Sequence, residues 1–140
     1  MLDPLELVIG ERFQREDIPA LFGAEFNPGN WNVGHVLLAE QRAHVLLVTL
    51  NKQGKVEEHR YLDHWLDEQS FHWQSQNATT PSSKRGKEII EHEKLGIGIH
   101  LFVREHKVEN GKGAPFTYHG KVRYRSHSGS GPMSVVFGLV

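Results

Sequence analysis

Residues 71 to 79 read FHWQSQNAT, a stretch of two aromatics, one histidine and three amides with no formal charge. Side chains of these types bind rather than break bonds. Aromatic rings stack on an exposed base, and Gln and Asn present paired donors and acceptors that match the edge of adenine. A second stretch, SSKRGK at 82–87, places clustered cations beside hydroxyls just before a helical pattern, a composition suited to phosphate. A third, FTYHGKVRYRSH at 116–127, alternates so that Phe116, Tyr118, Val122 and Tyr124 are expected on one face of a strand. Thr117, His119, Lys121, Arg123 and Arg125 are then expected on the other. The competing reading of all three is ordinary: Phe71 and Trp73 in a core, amides and cations solvated.

Bond-making chemistry finds less support. Ten histidines are present, yet no H-E-x-x-H or comparable ligand spacing occurs. His59 and His64 lie five apart, about 140° from each other on a helix, and His92, His100, His106, His119 and His127 stand singly, so no metal site is expected. No serine occupies a G-x-S-x-G elbow. Asp63 and Asp67, at i and i+4, read as charges on a helix surface rather than as an acid/base pair. The glycines of LGIGIH lead into a strand rather than opening a helix, so they make no phosphate-cradling loop. No catalytic residue and no cofactor is assigned.

The elements that must carry these groups follow from pattern. REDIPALFG reads as a short helix stopped at Gly23, with acids in its first turn. NPGNWNVG (27–34) reads as a loop, where Trp31 either packs back on the domain or meets a ligand. HVLLVTL (44–50) is a buried strand, and NKQGK (51–55) a turn. HRYLDHWLDEQ (59–69) reads as a short helix burying Leu62, Trp65 and Leu66. FHWQSQ alternates as a strand, KEIIEHEK spans about two helical turns, and IGIHLFVREH and MSVVFGLV read as strands. The expectation is a compact α+β domain over 1–140, a curled or barrel-like, mostly antiparallel sheet with two or three short helices.

The chain has 140 residues and no cysteine, which excludes disulfides, thiolate metal sites and cysteine nucleophiles and fits a cytoplasmic setting. No secretory leader and no membrane-length apolar run is evident. The net charge of −1 hides an imbalance: residues 1–83 hold 6 basic against 12 acidic side chains, and residues 84–140 hold 10 against 5. A basic half of this kind can form a positive stripe for nucleic acid, or be a scatter of solvated charges.

Several segments, in order along almost the whole chain, resemble one known family. They are IGERFQREDIPALFG, LLVTLNKQGK, RYLDHW, FHWQSQNATTPSSKRG, IHLFVREHK, APFTYHGKVRYRSHSG and GPMSVVF. The chain is similar to the C-terminal domain, of uncharacterised type, of bacterial phospholipase-D-nuclease/helicase fusion proteins, a set that includes type IV modification-dependent restriction enzymes. No nuclease HKD motif and no helicase motif is present, so the resemblance implies an accessory module. It implies a recognition domain for double-stranded DNA that reads modified cytosine, such as 5-methylcytosine, with catalysis in a fused or partner nuclease. By analogy it implies an SRA-like (SET-and-RING-associated), PUA-like barrel that flips the base, with a B3-like pseudobarrel as the alternative.

On that basis the base-binding candidates are Trp73, Gln74, Gln76, Asn77, Tyr118 and Trp31. The phosphate-binding candidates are Lys52, Lys84, Arg85, Lys87, Arg104, Lys121 and Arg123. An RNA- or nucleotide-binding PUA-like module and a protein-interaction domain are the rival functions.

Overall fold

The structure, a computed structural model, describes residues 8–31, 34–51, 63–75, 79–130 and 133–140. Among these, ten strands and four short helices occur. After β1 (Arg12–Phe13), a 3-10 turn (Arg15–Asp17) runs into α1 (Ile18–Leu21), and α2 (Pro28–Trp31) follows. Strands β2 (His35–Leu38) and β3 (Ala43–Asn51) form a hairpin, as do β4 (His64–Asp67) and β5 (Ser70–Gln74). Helices α3 (Lys84–Ile90) and α4 (His92–Leu95) precede β6 (Gly98–His106). The small hairpin of β7 (Val108–Glu109) and β8 (Lys112–Gly113) leads to the long β9 (Phe116–Ser128) and to β10 (Ser134–Leu139).

The main sheet runs β2-β3-β6-β9-β10-β5-β4, with β1 added alongside β9. All its pairings are antiparallel except β3 with β6. The α+β class and the curled, mostly antiparallel sheet match the sequence reading. Among the described residues the strand path ends at β2 and β4 without closing into a barrel. No helix of the described residues is long and apolar enough to cross a membrane.

Two apolar layers explain why the central strands lack a solvent face. One, inside the curl, joins Leu46 and Val48 with Ile99 and Leu101, Val122, Val135 and Phe137, and Phe71 and Trp73, and is covered by Ile89 of α3. The other lies across β3, β6 and β9, where Val45, Leu47, Phe102, Phe116 and Tyr118 meet Ile18, Leu21, Phe22 and Trp31. A strand buried on both sides reads as a continuous apolar run, as HVLLVTL does. Within IGIHLFVREH, both His100 and Phe102 are therefore buried together with their supposed opposites.

Three local expectations change. Residues 64–67 form a strand, not a helix: Asp67 Oδ1 accepts from the Gln69 N–H at 2.8 Å, which stabilises a tight turn into β5 in place of a helical one. Leu62 lies outside the described residues, Leu66 is exposed, and Trp65 is half-buried. Asp63, expected on a helix surface, is buried and accepts from the Gln74 N–H at 2.8 Å. In the supposed loop 27–34, a helical turn forms at α2, with Asn27 Oδ1 accepting from the Gly29 N–H at 2.9 Å as an N-cap does. The turn expected over 51–55 falls almost wholly outside the described residues.

The third change concerns β9. Phe102 pairs with Tyr118 and Leu101 with Gly120, so His119 is an extra residue in the strand, a β-bulge. Gly120 adopts φ +95°, which a side chain rarely tolerates. The bulge shifts the alternation by one. Phe116 and Tyr118 thus enter the outer layer, whereas Val122 and Tyr124 join the inner one, rather than all four sharing a face.

Candidate functional site

The aromatic residues expected to stack on a base are sealed. Trp73 is 3% exposed, and its ring packs against Phe137 and edge-on to His35. Trp31 is 2% exposed within the outer layer, and its carbonyl accepts from Arg15 at 2.7 Å. Tyr118 is 3% exposed, its hydroxyl 3.0 Å from His100 Nδ1. Burial raises the Tyr118 phenol to about 12 and lowers His100 to about 4, first through desolvation and then through Lys121, so the pair is neutral at pH 7. None of the three offers a free ring face. Alternation along β5 turns Phe71 and Trp73 inward, and in this geometry they are core.

Gln74 is half-buried, and its Oε1 is enclosed without a partner among the described residues. Gln76, Asn77 and Lys52 lie outside the described residues. The remaining cations divide in two. Lys84 and Lys87 are exposed on α3, which Ser83 caps through its Oγ to the Gly86 N–H at 3.2 Å. Arg85 is half-buried and donates to the His35 carbonyl at 2.9 Å, tying α3 to β2. Lys121 pairs with His100 in register and lies against Gly98, and Arg123 meets Glu93 of α4 at 3.3 Å. These residues gather near the start of β6.

Arg104 stands six residues further along that strand, roughly 20 Å away. It donates to Thr49 Oγ1 at 2.9 Å and to the Ala114 carbonyl at 3.0 Å, and lies 4.3 Å over the Phe116 ring. Desolvation, with Arg15 as the lesser cause, lowers it to about 10, still charged at pH 7. The cations therefore do not line one surface together with Trp73.

A different aromatic does reach solvent. Between the ends of β3 and β6 and the bulge of β9 lies a cleft of about 520 Å³, lined by Leu50, Trp65, Val103, Arg104, Thr117 and His119 among others. Arg12 and Glu109 stand at its rim, paired at 2.7 Å. On the far side of Trp65 and His119 a second hollow continues over Asp67, Glu68 and Leu139. The two rings meet edge to face with centroids 5.0 Å apart, and Phe71 supports Trp65 from beneath at 4.9 Å. Burial lowers the His119 pKa, so this imidazole is neutral and serves as a hydrogen-bonding, stacking group rather than a cation. A half-buried tryptophan braced by a second ring, in a pocket of this size whose Arg12 and Arg104 are matched by Glu105 and Glu109, can hold a planar ligand.

Sequence reasoning missed this pair because Trp65 was assigned to a helix face and His119 to a regular strand. The one available signal was the glycine inside the alternating run YHGKV, a mark of a bulge. Among the described residues no cluster of His, Cys, Asp or Glu is arranged to hold a metal ion.

A family model described as "Domain of unknown function (DUF3427)" matches residues 7–134. A solved structure of the DNA modification-dependent restriction endonuclease AspBHI is similar, with a TM-score of 0.56 and 16% identity over 91% of this chain. The chain spans 38% of the length of that enzyme's chain. No curated protein matches.

Proposed function

We propose that this chain, which belongs to the family described as a domain of unknown function (DUF3427), is the DNA-recognition part of a restriction system and reads a modified cytosine in double-stranded DNA. The observation that carries the reading is the Trp65–His119 cleft, an aromatic platform of the right kind for one base, on a fold shared with an enzyme whose name specifies modification-dependent restriction. Duplex DNA hides the base face, so such a cleft needs the base turned out of the stack in the manner of SRA-like domains, at a cost of a few kcal/mol. A methyl group sensed by apolar contact adds only about 1 kcal/mol of discrimination. Phosphate contacts must then supply much of the affinity, and the exposed Lys84, Lys87 and Arg123 would contribute where the duplex extends beyond the cleft. Hydrolysis belongs to a fused or partner nuclease or helicase assembly, and the domain itself is not an enzyme.

The test is a binding panel at low and moderate salt, with one sequence supplied as plain duplex, 5-methylcytosine duplex and RNA. The expected result is tightest binding to the modified duplex, a steep fall with added salt, and loss of the preference in Trp65→Ala. Preference for RNA would favour a PUA-like RNA module. Absence of binding at low salt would favour a protein-interaction domain and reject this reading.

A further inference from the structure

A buried chain of hydrogen bonds joins α3 to the β2–β3 hairpin. His35 Nε2 lies 2.6 Å from His44 Nδ1, and His44 Nε2 lies 2.8 Å from Glu88 Oε1. Both histidines are 0% exposed, and the carboxylate is only partly covered, facing a hollow of about 300 Å³ that Lys84 and Arg42 also line.

The partners dictate the tautomers. A carboxylate accepts, so His44 donates through Nε2–H and its Nδ1 is left to accept from His35 Nε2–H. That leaves His35 Nδ1 as a buried lone pair with no partner among the described residues. The chain is thus complete with both imidazoles neutral.

A further proton can enter only at that enclosed nitrogen, or by opening the site. The charged and titratable groups around the chain are Glu88, Arg85 and Lys84 from α3, Arg42 from the β2–β3 turn and His92 from α4. Glu88 favours a cation at His44, whereas Arg85 opposes one at either ring and His92 opposes one at His44. Desolvation outweighs these influences and lowers both imidazoles, His35 well below its ordinary value. Protonation is therefore easier once α3 lifts and water reaches the pair.

We propose that His35, His44 and Glu88 form an acid-sensitive latch that holds α3 on β2 and β3 in neutral solution and releases it, ahead of the sheet, on acidification. The helix is small enough to open locally: it spans seven residues and is held by this chain, the Arg85–His35 carbonyl bond, Gly86 against the Thr80 backbone, the buried Ile89 and the half-buried Ile90. Release would withdraw Lys84 and Lys87 from any ligand; only this consequence rests on the DNA reading above.

The test is native-state hydrogen exchange by NMR on the full chain at pH 7.5, 6.5 and 5.5, corrected for intrinsic rates. Opening at the Lys87–Glu91 amides should rise about 10- to 100-fold from pH 7.5 to 5.5, from one or two protons taken up on opening. Leu101 and Val103 of β6 should stay more protected than the α3 amides at every pH, although the opening of the sheet takes up the same protons. The double variant His35→Gln/His44→Gln, which keeps donors and acceptors but cannot titrate in this range, should flatten the α3 response. Equal protection in α3 and β6 at pH 5.5, no pH response in α3, or an unchanged response in the variant would overturn the latch. Should the variant fail to fold, the wild-type imidazole ¹⁵N spectrum decides: both rings must be neutral Nε2–H tautomers at pH 7.5, and any other form overturns it.

Discussion

Trp73 and Trp65 stand on adjacent strands of one sheet, β5 and β4, and meet different surroundings. Trp73 points into the curl, where Phe137, His35 and the residues beneath α3 enclose it. Trp65 packs on Phe71 from the last strand of the sheet path, and with no further strand beyond it among the described residues one side of the ring faces the cleft. The same side chain is a core element where the sheet curls over it and a half-exposed ring where, among the described residues, the sheet stops. In this fold, proximity to the open edge separates a solvent-accessible aromatic from a structural one.

The contrast sets the largest expected effect at Trp73. Trp73→Ala should cost about 3–5 kcal/mol, read as a large drop in the thermal midpoint or loss of soluble protein. A well-folded Trp73→Ala protein with altered ligand selectivity would instead restore Trp73 to the site. Acid is the next largest perturbation. His35, His44 and His100 have folded pKa values below the unfolded value of about 6.5. Between that value and the folded ones, the unfolded chain binds more protons. Stability is therefore constant with respect to these groups above about pH 7. It falls by roughly 2–4 kcal/mol as the pH drops from 7 to 5. Urea titrations across that range should show a falling midpoint with little change in slope.

Gly120→Ala probes the bulge that brings His119 to Trp65. The new Cβ would lie 3.0 Å from the end of the exposed Ile9 side chain, which can move, so the cost of about 1–2 kcal/mol comes from the positive φ. If cleft geometry depends on the bulge, ligand affinity should fall further than stability alone explains. Trp65→Ala should cost a similar or smaller amount, about 1–2 kcal/mol because the ring is only half-buried, while removing selectivity. The smallest effect belongs to Lys84→Ala with Lys87→Ala. Stability should move by no more than ~0.5 kcal/mol, and affinity for all duplexes should weaken together, with a shallower salt dependence.

The strands were legible because their apolar patterns are long: HVLLVTL, IGIHLFVREH and MSVVFGLV all became β-structure. The helical turns of KEIIEHEK (87–94) were legible from their apolar spacing, whereas the start of α3 at Lys84, capped by Ser83, and the division into α3 and α4 at Glu91 were not. Residues 64–67 misled because a four-residue strand and a helical turn share one apolar pattern, and only pairing with β5 decides between them. The cleft was hidden for a related reason, since the bulge at His119 becomes evident only when β9 is set against β6. His35 and His44 carry no signal at a separation of nine; an antiparallel hairpin brings them together, and α3 supplies the carboxylate.

Local residue chemistry by itself determined the class of fold, the positions of the principal strands and the want of any recognisable catalytic motif, because short-range periodicity and side-chain type are properties of the chain alone. Which tryptophan faces the core, which imidazoles share a proton network and where the cations gather were decided by strand order, a one-residue bulge and the point at which the sheet stops. Those depend on contacts between residues far apart in the chain, and no local pattern encodes them.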